Sequence, residues 1–248
     1  MKIRILLGVV LLAAAPLRAE PQVFESGETR CSLIELFTSE GCSSCPPAEA
    51  WVSGLRADAG LWKGFVPVVF HVDYWDNLGW PDRFAEREFT ERQRRYAAAW
   101  GGDSVYTPGF VLNGAEWRDW RGGAVPAAGS GRSGVLRVTL RDAGHAEVSF
   151  TAGTDGVKPT QVEVALLGGG VVSDVLRGEN KGRKLRHDFI VVGLAKGALA
   201  PVAGDGRRFT AVVALPEKTV VAPVAVAAWV SSGDGTGVVQ ATGGWVAR

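Results

Sequence analysis

Two cysteines three positions apart, in Cys42-Ser43-Ser44-Cys45, are the side chains of this sequence best spaced for chemistry. Such a pair closes a small disulfide. At the first turn of a helix, the helix N-terminus favours the leading sulfur as thiolate, the form that acts as nucleophile. Cys42 is therefore the candidate nucleophile and Cys45 the partner that resolves a mixed disulfide. Two other readings stand beside this one. Cys-x-x-Cys is also half of a structural zinc site, for which only Cys31 and three histidines remain to complete four ligands. In an oxidising compartment the same pair can be a purely structural disulfide. Cys31 reads as a small buried apolar residue.

The flanking residues place this pair on a turn between a strand and a helix. The apolar run Leu33 to Phe37 predicts a buried strand, and residues 46–58, ending before Gly60, predict a helix. Phe65 to Val72 predicts a second buried strand, and two strands joined by a helix make a parallel βαβ unit. Ligands of parallel sheets gather at the carboxyl ends of strands. His71, Asp73 and Asp76 are expected there, beside the cysteine loop. His71 reads either as a proton shuttle or cationic partner for Cys42, or as a structural histidine orienting the loop. Trp75 and Trp80 could wall a groove beside Cys42 or belong to the core. Glu35, an acid within an apolar strand, reads as a buried group suited to proton transfer or as a solvent-facing glutamate. Thr90-Glu91-Arg92-Gln93 fits a capping box that opens a second helix ending at Gly101-Gly102. Asn113-Gly114 between two short strands signals a hairpin.

Beyond residue 124 the texture changes. Residues 124–134 are rich in Ala, Gly, Pro and Ser, as suits a linker, and the apolar residues then recur with period two in many short runs. Seven or eight short strands predict an all-β sandwich.

The N-terminus carries Lys2 and Arg4 before the eleven apolar residues Ile5 to Ala15, followed by Leu17-Arg18-Ala19, the pattern of a secretory signal peptide. Eleven residues fall short of the roughly 20 that span a bilayer, so no stable membrane insertion is expected after cleavage. The expected organisation is a signal peptide at 1–19, an α/β domain at 20–123, a linker at 124–134 and a β-sandwich domain at 135–248. The expected location is the periplasm or the exterior. Loss of residues 1–19 removes Lys2, Arg4 and Arg18 and changes the formal charge from +1 to −2, with 24 basic against 26 acidic residues. That balance argues against nucleic acid as a partner.

Residues 31–118 resemble the thioredoxin fold, on the strength of the Cys42-Ser43-Ser44-Cys45-Pro46 loop between strand and helix and of Thr107-Pro108 before a strand pair. The resemblance implies that Pro108 is a cis-proline packed against the dithiol and that Glu35 stands near the place of a buried acid. It also implies an α/β thioredoxin-like N-terminal domain ahead of the all-β sandwich. More narrowly, the chain resembles a family of secreted bacterial proteins catalogued as a domain of unknown function. The segments that carry this are Glu35 to Pro47, Phe70-His71-Val72-Asp73-Tyr74-Trp75-Asp76, Phe89-Thr90 with Arg92-Gln93, and Val105-Tyr106-Thr107-Pro108. Arg177-Gly178-Glu179-Asn180 is a weaker echo in the second half. The closing helix of the fold should follow the hairpin, but residues 119–128 are short and broken by Gly122, Gly123 and Pro126.

These features lead to the expectation of an exported thiol-disulfide oxidoreductase acting on protein or small-molecule thiols and disulfides. No cofactor beyond the Cys42–Cys45 pair is expected. Cys42, Cys45, Pro108, His71 and Glu35 are the catalytic candidates, and Tyr106, Thr107, Trp75 and Asp73 the substrate-binding ones. A copper-binding or copper-delivering module using Cys42, Cys45 and His71 is one alternative. A non-catalytic binding protein braced by a disulfide is another.

Overall fold

The computed structural model describes residues 20–125, 130–141 and 144–247. The signal peptide expected at 1–19 and the linker residues 126–129 lie outside them. In chain order the elements are β1 (Gln22–Glu25), β2 (Ser32–Thr38), α1 (Pro46–Gly54), β3 (Phe65–His71), α2 (Arg87–Ala99), β4 (Gly109–Leu112), β5 (Ala115–Glu116), β6 (Gly134–Leu140), β7 (His145–Ala152), β8 (Gln161–Asp174), β9 (Lys184–Ala198), β10 (Ala200–Pro201), β11 (Arg208–Ala214), β12 (Ala225–Ser232) and β13 (Gly237–Trp245). Short 3₁₀ turns occur at Leu55–Ala57, Asp73–Leu78 and Asp119–Gly122.

Two sheets organise the molecule. One has the order β1-β6-β7-β11-β10, and the other β13-β12-β8-β9-β3-β2-β4-β5. The expectation of an α/β thioredoxin-like N-terminal domain followed by a separate all-β sandwich is thereby overturned. The chain is β-rich and sandwich-like with few helices, and its eight-stranded sheet draws strands from both halves of the sequence. The junction is β3, which lies parallel to β2 on one side and parallel to β9 on the other, with Val69 opposite Ile190. The physical reason lies in β3 itself: all seven of its residues, Phe-Val-Pro-Val-Val-Phe-His, are buried. A strand buried on both faces and left at a sheet edge would expose a row of unpaired backbone groups, and β9 covers that edge. The N-terminal strand β1 likewise joins the other half, pairing antiparallel with β6.

Period-two alternation divides the core in two. On β8, Val162, Val164 and Leu166 pack with Leu136, Val138 and Phe150 of the five-stranded sheet. Ala165 and Leu167 point the other way and join Leu36, Phe37, Phe70, Val52 of α1 and Phe89 and Tyr96 of α2. The ladder between β8 and β9 is interrupted by register shifts around Gly168–Val171, where Phe189 takes φ 59°. Alternation lapses at this bulge, and His187, Asp188, Phe189 and Ile190 are all buried.

The hairpin expected at Asn113-Gly114 forms, with φ 52° and 90°, the positive pair a type I′ turn requires. The capping box expected at Thr90 does not. The helix starts one turn earlier at Arg87, and Thr90 is instead bonded to Asp73, its Oγ1 donating to Asp73 Oδ1 (2.5 Å) and accepting from the Asp73 N–H (3.1 Å). After the hairpin, the described residues ahead of β6 make the 3₁₀ turn Asp119–Gly122.

Candidate functional site

The loop from the carboxyl end of β2 to α1 winds through two successive tight turns. The Cys42 N–H donates to Ser39 O (3.1 Å) and the Cys45 N–H to Cys42 O (3.3 Å). Cys45 then caps α1, and Pro46 and Pro47 fill positions whose N–H groups would have no helical acceptor. This winding brings Cys42 and Cys45 together, and they are joined as a disulfide. Ser44 Oγ lies 3.3 Å from Cys42 Sγ and donates to Thr107 O at 3.5 Å. Thr107-Pro108 is a cis peptide bond. Trp75 braces the same corner, its Nε1–H donating to Thr107 Oγ1 (2.8 Å). Gly41 fits beneath it because a Cβ there would stand 3.1 Å from Trp75 Cβ. Both cysteines are 0% exposed, whereas Ser43 and Ser44 between them are exposed. Beside Pro108 a groove of about 390 Å³ is lined by Tyr106, Phe110, Trp117, Arg118, Trp120 and Arg121.

The second half of the chain holds this loop in place. Asn180, fully buried, donates from Nδ2 to Glu40 O and to Cys42 O, both at 2.9 Å, and is itself fixed by Arg183 (2.9 Å to Asn180 Oδ1). Glu179 Oε2 accepts the Ser43 N–H (3.0 Å), and the Ser43 hydroxyl, followed by this N–H, keeps its carboxyl below the usual range. The Arg177 to Asn180 segment of the sequence is thus a clamp on the dithiol loop.

His71 is brought next to Asp82, with Nδ1 and Oδ2 2.6 Å apart. The same Asp82 oxygen accepts the Glu40 N–H (2.8 Å) and the other accepts the Phe84 N–H (2.9 Å). Burial works against charge on Asp82, but its contact with His71 and the two backbone bonds hold its carboxyl below the usual range. His187 completes the group, with Nδ1 2.5 Å from Glu49 Oε2 and Nε2 3.1 Å from Glu40 Oε1. Burial alone would lower the His187 pKa, yet its bonds to Glu40 and Glu49 raise it to about 10. Glu40 is desolvated too, but its bonds to His187, Ser173 and Trp80 hold its pKa down. A histidine whose pKa rises on folding contributes stability that is complete below its unfolded value near 6.5 and is lost as pH passes through its folded value. The stability advantage of the wild type over His187→Gln is therefore expected to be constant below about pH 6 and to fall away through pH 10, read by urea denaturation of both proteins across that range.

Glu35 is drawn into a different network. It is fully buried on β2, where it accepts from Arg92 Nε and from the Tyr96 hydroxyl, each at 2.5 Å. Arg92 also reaches both oxygens of Glu163 (3.0 and 2.8 Å), and the Trp229 Nε1–H donates to Glu163 Oε2 (2.8 Å). Of the other expected residues, Asp73 is taken up by Thr90. Asp76 accepts the Asp82 N–H (3.0 Å). The Tyr106 hydroxyl donates to Glu116 (2.6 Å), and the Trp80 Nε1–H donates to Glu40 Oε2 (2.6 Å). Among the described residues, the donors that cluster closely enough to share a metal ion are Glu49, His71 and His187, a set without a cysteine. Sequence reasoning missed Glu40, Glu49, Asp82, Asn180 and His187. Glu40 and Asn180 stood inside the quoted motifs, whereas nothing marked His187, whose approach depends on the β9 bulge.

Cys31 heads β2, buried, with its N–H donating to Gln240 Oε1 (2.7 Å), and burial pushes its thiol up to about 12. It is expected to stay unlabelled when native, reduced protein is treated with iodoacetamide at pH 8 and to react only after unfolding, as peptide mass spectrometry would read.

The model of a family of proteins of unknown function (DUF1223) matches residues 33–231. No curated protein matches the chain. Among solved structures, protein AGR_C_4864 from Agrobacterium tumefaciens is similar at 26% identity and a TM-score of 0.59, over 88% of this chain and 95% of that one. HBP35 of Porphyromonas gingivalis is similar in fold at 15% identity and a TM-score of 0.55, over 88% of this chain and 76% of that one.

Proposed function

The chain belongs to the DUF1223 family of proteins of unknown function, and since that membership carries no reaction, we propose from the site itself that it is an exported thiol-disulfide oxidoreductase. The observation that supports this reading most is the placement of the Cys42–Cys45 pair. It sits on a strand-to-helix turn whose Ser44 Oγ reaches Thr107 O, and an aromatic and arginine-lined groove opens beside the adjoining Pro108. In the reducing direction, Cys42 thiolate attacks one sulfur of a substrate disulfide. The substrate S–S bond breaks, a mixed disulfide forms and one substrate thiolate leaves. Cys45 thiolate then attacks Cys42 Sγ, closing Cys42–Cys45 and releasing the second substrate thiolate. The substrate gains two electrons and the protein loses them. The oxidising direction is the reverse. Ser44 Oγ is placed to donate to a Cys42 thiolate, and Tyr106 and the Thr107-Pro108 backbone to hold the partner chain. The expected place of action is the periplasm or the exterior.

A second reading rests on one observation: both cysteines are 0% exposed under the Asn180 and Glu179 clamp. In that reading the disulfide only braces the loop of a binding protein. The Cys45→Ser variant separates the two. An oxidoreductase with its resolving thiol removed accumulates mixed disulfides through Cys42, visible as thiol-sensitive bands on non-reducing gels of cell-envelope extracts. A bracing disulfide yields none.

A further inference from the structure

We propose that Glu49, His71 and His187 form a binding site for one zinc ion beneath the dithiol loop, a site that uses no cysteine. Each of the three residues offers a ligand atom, these atoms lie within 4.8 Å of one another, and all three side chains are buried. The outer contacts are those of metal-binding histidines, whose second ring nitrogen is normally held by a carboxylate that fixes the ring. His71 Nδ1 is held by Asp82 and His187 Nε2 by Glu40. That leaves His71 Nε2 and His187 Nδ1 for a ligand. His187 Nδ1 is the nitrogen that meets Glu49 Oε2. His71 Nε2 is a buried nitrogen with no hydrogen-bond partner, in a residue 0% exposed. A buried polar atom left unpaired is costly, and proteins rarely keep one without use. An ion would take the place of the proton shared by His187 and Glu49 and at the same time give His71 Nε2 its partner.

The donor set suits a divalent transition ion such as zinc. Two imidazoles and a carboxylate match zinc, which binds such ligands at about 2.0–2.2 Å and often takes three from the protein with a fourth position open. Calcium and magnesium require six or more, mainly oxygen, ligands. Copper(I) favours thiolate and thioether sulfur, which this set lacks. Because Glu40 lies two residues before Cys42 in the loop and Glu49 in the first turn of α1, the ion would tie the two ends of the dithiol loop to β3 and β9. This inference stands apart from the redox reading, since its ligands include neither sulfur.

The test uses purified protein with Cys42–Cys45 oxidised, stripped with chelator and dialysed to equilibrium against zinc. One zinc per chain is expected. The zinc X-ray absorption edge should show a shell of nitrogen and oxygen only, with imidazole scattering. His71→Gln should weaken binding by more than about 100-fold, and Asp82→Asn by about 10- to 100-fold, the usual cost of losing an outer carboxylate. Cys42→Ser/Cys45→Ser should bind as tightly as the wild type. Absence of zinc uptake by the oxidised wild type overturns the proposal. So does sulfur in the shell, or unchanged affinity in a folded His71→Gln. Should His71→Gln not fold, the absorption edge of the wild type decides alone.

Discussion

Replacing Arg92 by Met is expected to destabilise the protein by about 3–5 kcal/mol, read as the loss in unfolding free energy by urea titration. Arg92 is almost wholly buried and stands between Glu35 of β2 and Glu163 of β8, with the Tyr96 hydroxyl and Trp229 Nε1–H closing the network. Burial disfavours its charge, but Glu35, then Tyr96 and Glu163, outweigh it and hold the guanidinium protonated. Without it Glu35 remains in the core with no cation and Glu163 keeps only Lys196, 3.6 Å away, and breaking one side of a buried pair costs far more than the pair contributes. The guanidinium fork is needed, since one ammonium cannot serve both carboxylates with the same geometry, so Arg92→Lys should recover only part of the loss. The surface pairs of Arg87 and Arg94 with Glu91 on the same helix should each change stability by less than about 1 kcal/mol when broken. A loss below about 1 kcal/mol for Arg92→Met would mean that the core relaxes around the two acids. The network also joins a strand of the first half to a strand of the second, so its loss should lower the single unfolding transition without splitting it.

Cys42→Ser is expected to abolish thiol-disulfide exchange, lowering the rate by more than about 1,000-fold in an insulin-reduction or dithiol-oxidation assay. Removing a nucleophile leaves only what binding and the surrounding dipoles supply. Cys45→Ser should differ in kind. The first attack survives and the mixed disulfide accumulates, because the sulfur that would release it is gone. Cys42 is assigned the first attack because it precedes the N-terminus of α1 and has Ser44 Oγ at 3.3 Å, where dipole and donor both favour a thiolate. Equal residual activity in the two variants would contradict that assignment.

The local chemistry was legible in the sequence because it is encoded over short distances. A strand-turn-helix around Cys42 and Cys45 and the Asn113-Gly114 hairpin each depend on neighbours in the chain, whereas the approach of Thr107-Pro108 to that turn was implied by the resemblance and not by spacing. The architecture was not legible in the same way. Period-two runs mark β8, β9, β12 and β13 as strands but do not say what they pair with, and β3 reads as the same apolar run whether its second edge meets a helix-covered margin or β9. The bulge at Phe189 hid His187 for the same reason: the shift of register that buries His187 and Asp188 together arises between strands. Glu35 illustrates the converse, an acid conspicuous within an apolar strand whose partner, Arg92, lies 57 positions away on α2, where no local pattern marks it as buried.

The reduction potential of the Cys42–Cys45 pair, measured by equilibration with glutathione or dithiothreitol buffers, tests the central claim most directly. Exchange with substrate requires a disulfide that opens within the working range of oxidoreductases, and a value between about −120 and −270 mV is expected. A value below about −300 mV, the range of inert structural disulfides, would contradict the redox reading and leave the pair as a brace for the loop that Asn180 and Glu179 hold.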